Sequence, residues 1–165
     1  MARPFKRHGR RVRVTLSDEE AGLLRTLPEQ LKSVLDEGEA DPANDRLFPP
    51  AYDDLAEAEA AAEYRRLMQD ELVATKLAAI DTVRASLDKG TAKGGRWTAE
   101  LDEDEALAWL GVLNDVRLTL GVRLDVTDDL DGEADIDPAD PKAPGFRLLY
   151  YLGWLEEHLL AELKP

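Results

Sequence analysis

Cysteine is absent from this 165-residue sequence, and histidine occurs only at His8 and His158. Without cysteine these residues can form no disulfide bond, zinc–thiolate site or thiol nucleophile. The two histidines show none of the short spacings that hold a metal on one helix, such as H-x-x-x-H or H-E-x-x-H. We therefore expect no metal and no cofactor.

Long apolar runs are also missing. None approaches the ~20 residues that a membrane-spanning helix needs. The basic N-terminus lacks the continuous apolar stretch of a signal peptide. We therefore expect a cytoplasmic protein with no membrane partner.

Motifs of catalysis are missing as well. There is no G-x-S-x-G motif around Ser17, Ser33 or Ser86. The glycine-rich segment 90–95 contains a lysine but does not match a phosphate loop, and a hairpin-like connection explains it. We expect that the protein is not an enzyme. An enzyme of unassigned reaction, with carboxylates brought together by folding, stays as an alternative.

Charge is present in excess and unevenly distributed. The net charge is −14, yet residues 1–13 hold six cations and no acid, which leaves −20 on the remaining residues. We interpret residues 1–10 as a mobile basic arm. Such an arm can contact DNA phosphate, this protein's own acidic surface or an acidic partner, and the negative body favours the last two.

Hydrophobic periodicity predicts a mainly α single domain over residues 1–165, with four to five helices and a small two-stranded β-ribbon. The expected strands are 11–16 and 96–101. An acidic, proline-containing stretch over 125–144 predicts a flexible connector. The predicted helices cover about 18–36, with a kink or a new helix at Pro28, then 55–88, 102 to either 121 or 124, and 146–163.

Two short segments of the sequence resemble each other. Residues 16–21 (LSDEEA) resemble residues 101–106 (LDEDEA), and each follows a predicted strand. Ser17 with Glu20, and Asp102 with Glu105, have the spacing of capping boxes that begin helices. Either the two strand–helix units are equivalent, or capping boxes simply recur in a helical protein.

Two further features suggest interaction surfaces. Asn114 and Arg117 share a helix face beside leucines, which favours a buried polar clamp between Arg117 and a carboxylate over a ligand site. The last helix, which carries Trp154, is apolar on most sides, and this predicts a homodimer. The candidate interaction residues are Arg10, Arg11, Arg13, Asn114, Arg117 and Trp154.

Several blocks in order resemble a bacterial family of unknown function, DUF2017. They are RVRVTLSDEEAGLLRTL (11–27), LFPPAY (47–52), AEYRRLMQDEL (62–72), LDEDEALAWLGVLNDVRLTLGVRLDVT (101–127) and LLYYLGWLEEHLLAEL (148–163). The resemblance implies a cytoplasmic bacterial protein with no assigned reaction, and some relatives carry a transcriptional-regulator label. It offers no catalytic residues to carry over, although Asn114, Asp115 and Arg117 match its most recognisable block.

Together these observations favour a non-catalytic protein-interaction or regulatory module that forms a homodimer and has a protein partner. The alternative is a DNA-binding transcriptional regulator that uses the basic arm, although the net charge disfavours nucleic acid.

Overall fold

The computed structural model describes residues 3–48, 58–126 and 137–164. Within these ranges lie four strands and five α-helices, with a 3₁₀ turn at Gly38–Ala40. In chain order they are β1 (Phe5–His8), β2 (Arg11–Ser17), α1 (Asp18–Glu37), α2 (Asn44–Leu47), α3 (Ala58–Lys89), β3 (Thr91–Lys93), β4 (Arg96–Leu101), α4 (Glu103–Arg123) and α5 (Ala143–Leu163). The fold is mainly α with a sheet.

The four strands form one antiparallel sheet in the order β1-β2-β4-β3. The predicted pairing of 11–16 with 96–101 is confirmed, with Val12 opposite Leu101 and Leu16 opposite Trp97. The predicted two-stranded ribbon is wrong, because β1 and β3 extend the sheet at both edges. These edge strands are short and polar, so neither shows a recognisable period-two pattern.

The prediction of a mobile arm over residues 1–10 is also wrong for residues 3–10, because strand β1 lies within them. The Phe5 side chain is 1% exposed, and its ring meets Trp109 edge-on at a centroid distance of 6.2 Å. The backbone N–H of Thr15 donates to the Pro4 carbonyl at 2.8 Å, and that of Arg7 donates to Glu162 Oε2 at 2.9 Å. One buried aromatic side chain and a strand ladder thus outweigh the mutual repulsion of the cations.

The strand pairing shows that the similar segments 16–21 and 101–106 belong to two larger units of the same structure. The pairs Lys6–Arg13 and Arg7–Val12 correspond to Thr91–Thr98 and Ala92–Trp97, each 85 residues further along the chain. The β2–β4 register is two-fold symmetric about the Val14–Ala99 pair. The chain therefore contains two β-hairpin–helix units, β1-β2-α1 and β3-β4-α4, related by an approximate two-fold axis.

Both units begin their helices in the same way. The Ser17 Oγ accepts from the Glu20 N–H at 3.1 Å, and the Asp102 Oδ1 accepts from the Glu105 N–H at 2.8 Å. In each case the glutamate side chain accepts in return from the backbone N–H of the capping residue. Both predicted capping boxes are confirmed.

The core lies on one face of the sheet, beneath α1 and α4. Alternate residues of β2 and β4 point into it, and the Trp97 ring stacks on Trp109 at 6.3 Å. Helix α3 packs against α1 and α4, and α5 packs against α4 and β1. The strand residues that enter the core are Val12, Val14, Leu16, Trp97, Ala99 and Leu101.

Helix bounds differ from the predictions at a few points. Helix α1 runs through Pro28, which is buried inside it, so no second helix begins there. Helix α4 ends at Arg123, and α5 begins at Ala143, inside the predicted connector. Half of that connector, residues 127–136, lies outside the described residues. No helix of the described ranges is long and apolar enough to cross a membrane.

Candidate functional site

The face of the sheet turned away from the core is strongly basic. Because side chains alternate along a strand, the residues between the core positions share this opposite face. We call it the basic face. It consists of Lys6, His8, Arg11, Arg13, Thr15, Ser17, Thr91, Lys93, Arg96, Thr98 and Glu100.

Cations and hydroxyls make up almost all of this surface. The cationic side chains are exposed, and no helix of the described ranges covers them. Glu100 is the one acidic residue in the four strands, and its Oε1 accepts from Arg13 Nε at 2.6 Å. The Arg13 side chain is 48% exposed, so solvent weakens this pair. The face therefore presents a positive surface on a protein of net charge −14.

The approximate two-fold axis gives the basic face two equivalent corners. His8 and Arg11 are cross-strand neighbours at the first corner, and Lys93 and Arg96 are their counterparts at the second. The corners are separated by six residues along the central strands, or about 20 Å at ~3.3 Å per residue. Lys89, which pairs with Glu105, lines the same depression as Arg11, and Arg147 lines the same pocket as Arg96.

A groove between α4 and α5 is the second surface. It has a volume of about 1070 Å³, and Asn114, Arg117 and Trp154 all line it. Arg117 Nη1 pairs with Glu156, so the arginine has a carboxylate partner, but the predicted clamp is not buried because the Arg117 side chain is 40% exposed. Gly153 faces this arginine, and a Cβ at that position would lie 3.4 Å from the guanidinium, which is an ordinary van der Waals distance. The groove is lined by two cations, Arg46 and Arg117, and by two carboxylates, Asp125 and Glu157, so its lining carries no excess of positive charge.

Aromatic contacts hold Trp154 in place. Its ring stacks on Tyr151 at 6.1 Å and meets the His158 ring at 4.5 Å, and His158 Nδ1 lies 2.8 Å from the Trp154 carbonyl. The Tyr151 hydroxyl donates to Glu20, and burial together with this bond raises the pKa of Tyr151. His158 thus has a packing role on α5.

Two buried carboxylates pair with cations elsewhere in the fold. Lys76 Nζ donates to Asp115 Oδ2 at 2.9 Å, and burial raises the pKa of Asp115 despite this partner. Arg123 donates twice to Asp41, at 2.8 and 2.6 Å, and these bonds lower the pKa of Asp41 to about 2. Sequence reasoning missed both pairs, because each joins residues on different helices or loops without a local motif.

The structure divides the six predicted interaction residues between the two surfaces. Arg11 and Arg13 lie on the basic face, with Arg10 in the adjoining β1–β2 turn, whereas the other three line the groove. Sequence reasoning missed Lys6, Lys93 and Arg96 on the basic face. Strand alternation at 96–101 was a usable signal for Arg96, but the sheet order that joins these residues was not visible in the sequence.

Chemically, the basic face suits ionic and hydrogen-bonded contact with an anion. Arg and Lys donate to carboxylate or phosphate oxygens, and Thr and Ser hydroxyls donate to the same oxygens at shorter range. Among residues 3–48, 58–126 and 137–164, no three His, Asp or Glu side chains are placed to hold a metal ion.

Comparison with known proteins gives a family and a set of named relatives. Residues 2–163 match the family model described as domain of unknown function, DUF2017. Proteins of Mycobacterium tuberculosis and Mycobacterium bovis named "Oxidative stress regulator AosR" are 29% identical over 190 residues, which covers 95% of this chain and 84% of theirs. No solved structure matches the chain.

Proposed function

The chain belongs to the DUF2017 family, and we propose that it is a cytoplasmic, non-catalytic regulatory module that works by binding an anionic partner through its basic face. The observation that carries this proposal is the charge distribution. Cations from two distant segments, residues 6–13 and 93–96, come together on one side of the sheet, opposite in sign to the rest of the molecule.

The repulsion between neighbouring cations supports a binding role for this face. A protein with a net charge of −14 would gain stability from cations dispersed among its acids, since dispersed charges attract. Here the strand cations stand next to one another, and only Arg13 has a carboxylate partner among the described strand residues. An anionic partner would relieve the repulsion between these cations.

The relatives support the regulatory part of the proposal. Proteins that share 29% identity with almost the whole chain are named as regulators of oxidative stress. These 165 residues contain no cysteine, so thiol oxidation within them cannot be the signal. We expect regulation through binding, with any redox sensing carried by a different component.

The non-catalytic part of the proposal is supported by the roles of the candidate nucleophiles. Ser17 caps α1, and the buried Ser86 hydroxyl donates to the Thr82 carbonyl at 2.8 Å. His158 contacts its own helix, and His8 lies on the basic face. Each of these side chains is therefore occupied structurally or faces solvent.

The proposal includes a homodimer, through a different surface from the one first predicted. The buried leucines of α5 are covered within the chain by α4 and β1, so its apolar character no longer requires a second subunit. Helix α3 instead exposes Tyr64, Leu67 and Leu72, with Leu67 at 73%. An exposed apolar stripe of this kind favours association.

Light scattering at micromolar concentration measures the homodimer directly. We expect a dimeric mass for the wild type and a monomeric mass for Leu67→Glu, with Leu107→Glu on α4 as the matched control. Leu107 is also half exposed but lies outside the α3 stripe. A wild-type protein of strictly monomeric mass would contradict the dimer.

The regulatory role is tested with two matched triple variants. The face variant replaces three exposed cations of the basic face with glutamine: Lys6→Gln, Arg11→Gln and Arg96→Gln. The control variant makes the same change in net charge at exposed cations outside the strands: Arg66→Gln, Lys142→Gln and Lys164→Gln.

Each variant is expressed in a strain of the source bacterium that lacks the gene, and transcripts are compared before and after peroxide treatment. We expect the wild type and the control variant to restore the transcript profile, and the face variant to fail while being present at the same level. A deletion strain whose transcripts match those of the wild-type strain would contradict a regulatory role.

A further inference from the structure

We propose that the anionic partner is duplex nucleic acid, gripped through the phosphates of both strands by the two corners of the basic face. This inference rests on the proposed function and specifies the partner of the same surface.

The chemistry of the face favours phosphate over an acidic protein. Phosphate contacts in nucleic-acid complexes come mainly from Arg, Lys, Ser and Thr side chains, and these residue types make up nine of the eleven residues of the basic face. Stable protein interfaces have an apolar centre built on aromatic or aliphatic anchors. All apolar side chains of β2 and β4 point into the core instead, so the centre of the face offers an acidic protein no such anchor.

The same composition favours a duplex over a single strand. Single-stranded nucleic acids bind through aromatic side chains on which the unstacked bases lie. The four strands contain Phe5 and Trp97 as aromatic residues, and both are buried in the core. His8 is the one ring among the strand residues of the basic face. Tyr150 and Trp154 line a pocket at its Arg96 end, but the Trp154 ring is already packed against Tyr151 and His158.

The two-fold arrangement matches the symmetry of a duplex. The backbones of a duplex are related by dyads perpendicular to its axis, and the basic face has its own approximate dyad at Val14–Ala99. Arg11 and Arg96 are related by this dyad and stand about 20 Å apart along the strands. A flat face lies across a groove of the duplex, and the major groove is about 12 Å wide. Corners about 20 Å apart can therefore reach the phosphates of both strands, one strand on each edge of the groove.

Salt screens the repulsion between the acidic groups of this protein and the phosphates, so a protein of negative net charge can bind a duplex through its basic face. The described helices pack on the core side of the sheet and carry a net charge of −9, and a helix with its side chains is about 10 Å across. The Debye length at physiological ionic strength is about 8 Å. The repulsion from the body is therefore damped at the phosphates, whereas the corner cations contact them directly.

The proposal is tested by fluorescence anisotropy with three labelled probes: a duplex DNA of about twenty base pairs, one of its single strands, and polyglutamate. The wild type is compared with a first-corner variant, His8→Gln with Arg11→Gln, and a second-corner variant, Lys93→Gln with Arg96→Gln. The control variant carries Arg66→Gln with Lys142→Gln, and circular dichroism verifies the fold of each protein.

We expect the wild type to bind the duplex more tightly than either other probe, with affinity that falls steeply as salt is raised. Because each phosphate contact contributes about 0.9 to the slope of log K against log salt, each lost contact should weaken binding about tenfold near 50 mM salt and flatten the slope. Both corner variants should show this loss, and the control variant should not.

Three results would overturn the proposal: no duplex binding by the wild type, loss of binding at only one corner, or equal loss in the control variant. Polyglutamate bound in place of the duplex would also overturn it, while leaving the proposed function intact with an acidic protein as the partner. If no probe binds and the face variant still restores transcription in cells, both proposals fall.

Discussion

The carboxylate of Asp41 is 5% exposed, yet it stays ionised because Arg123 donates to both of its oxygens and the Ala43 N–H donates to one. These bonds lower the pKa of Asp41 from its ordinary value to about 2. A carboxyl group with a lowered folded-state pKa stabilises the fold above the pKa that it has when unfolded, near 4. That stability is lost as pH falls from about 4 towards 2.

We therefore predict that Arg123→Ala lowers the free energy of unfolding by about 1–3 kcal/mol at pH 7, because a buried charge loses its main partner. The variant should also lose less additional stability than the wild type between pH 4 and pH 2. Urea unfolding across this range measures both effects, with Arg66→Ala as the control. Parallel pH profiles for the wild type and Arg123→Ala would contradict this account of Asp41.

Gly90 provides a second prediction from a single residue. A Cβ at this position would lie 2.2 Å from the ring of the buried Trp97, whereas a Cβ at Gly111 on α4 would meet nothing within 4 Å. We expect Gly90→Ala to destabilise the fold by about 1–3 kcal/mol through overpacking. Gly111→Ala should stabilise it by about 0.5–1 kcal/mol, since alanine favours a helix. Thermal unfolding of the pair tests this, and equal melting temperatures would disprove it.

Among the elements, the two hairpin–helix units should respond alike to loss of their caps. Ser17→Ala and Asp102→Ala each remove the side-chain acceptor of a capping box. We predict a cost of about 1 kcal/mol for each, and additive costs in the double variant because the sites lie on different helices. Denaturant unfolding of the three variants measures this, and a negligible cost at either cap would show that its box has no effect on stability.

The elements also show which parts of the fold were predictable. The helices, the two capping boxes and the strands β2 and β4 follow from local patterns, and the structure has all of them, with the two strands paired as predicted. The edge strands β1 and β3 were not predictable, because four residues of FKRH and three of TAK carry too little pattern. Their formation depends on the turns at Gly9 and Gly94 and on a neighbouring strand already in place.

At the scale of the whole molecule, the main feature is that cations gather on one face of a protein whose net charge is −14. The excess of cations near the N-terminus is visible in the sequence, and it correctly indicates where part of the basic face lies. The contribution of Lys93 and Arg96 was hidden, because these residues join the N-terminal cations only through the sheet order β1-β2-β4-β3. The groove of Asn114, Arg117 and Trp154 was partly predictable, since helix spacing placed the first two on one face.

The measurement that tests the central claim most directly is affinity capture from native lysate with the wild type, the face variant and the control variant in parallel. Bound proteins are identified by mass spectrometry and bound nucleic acid by sequencing, at low and moderate salt. We predict a salt-sensitive partner that the wild type and the control variant retain and the face variant loses. A face variant that retains every partner of the wild type would contradict the claim that the basic face carries the function.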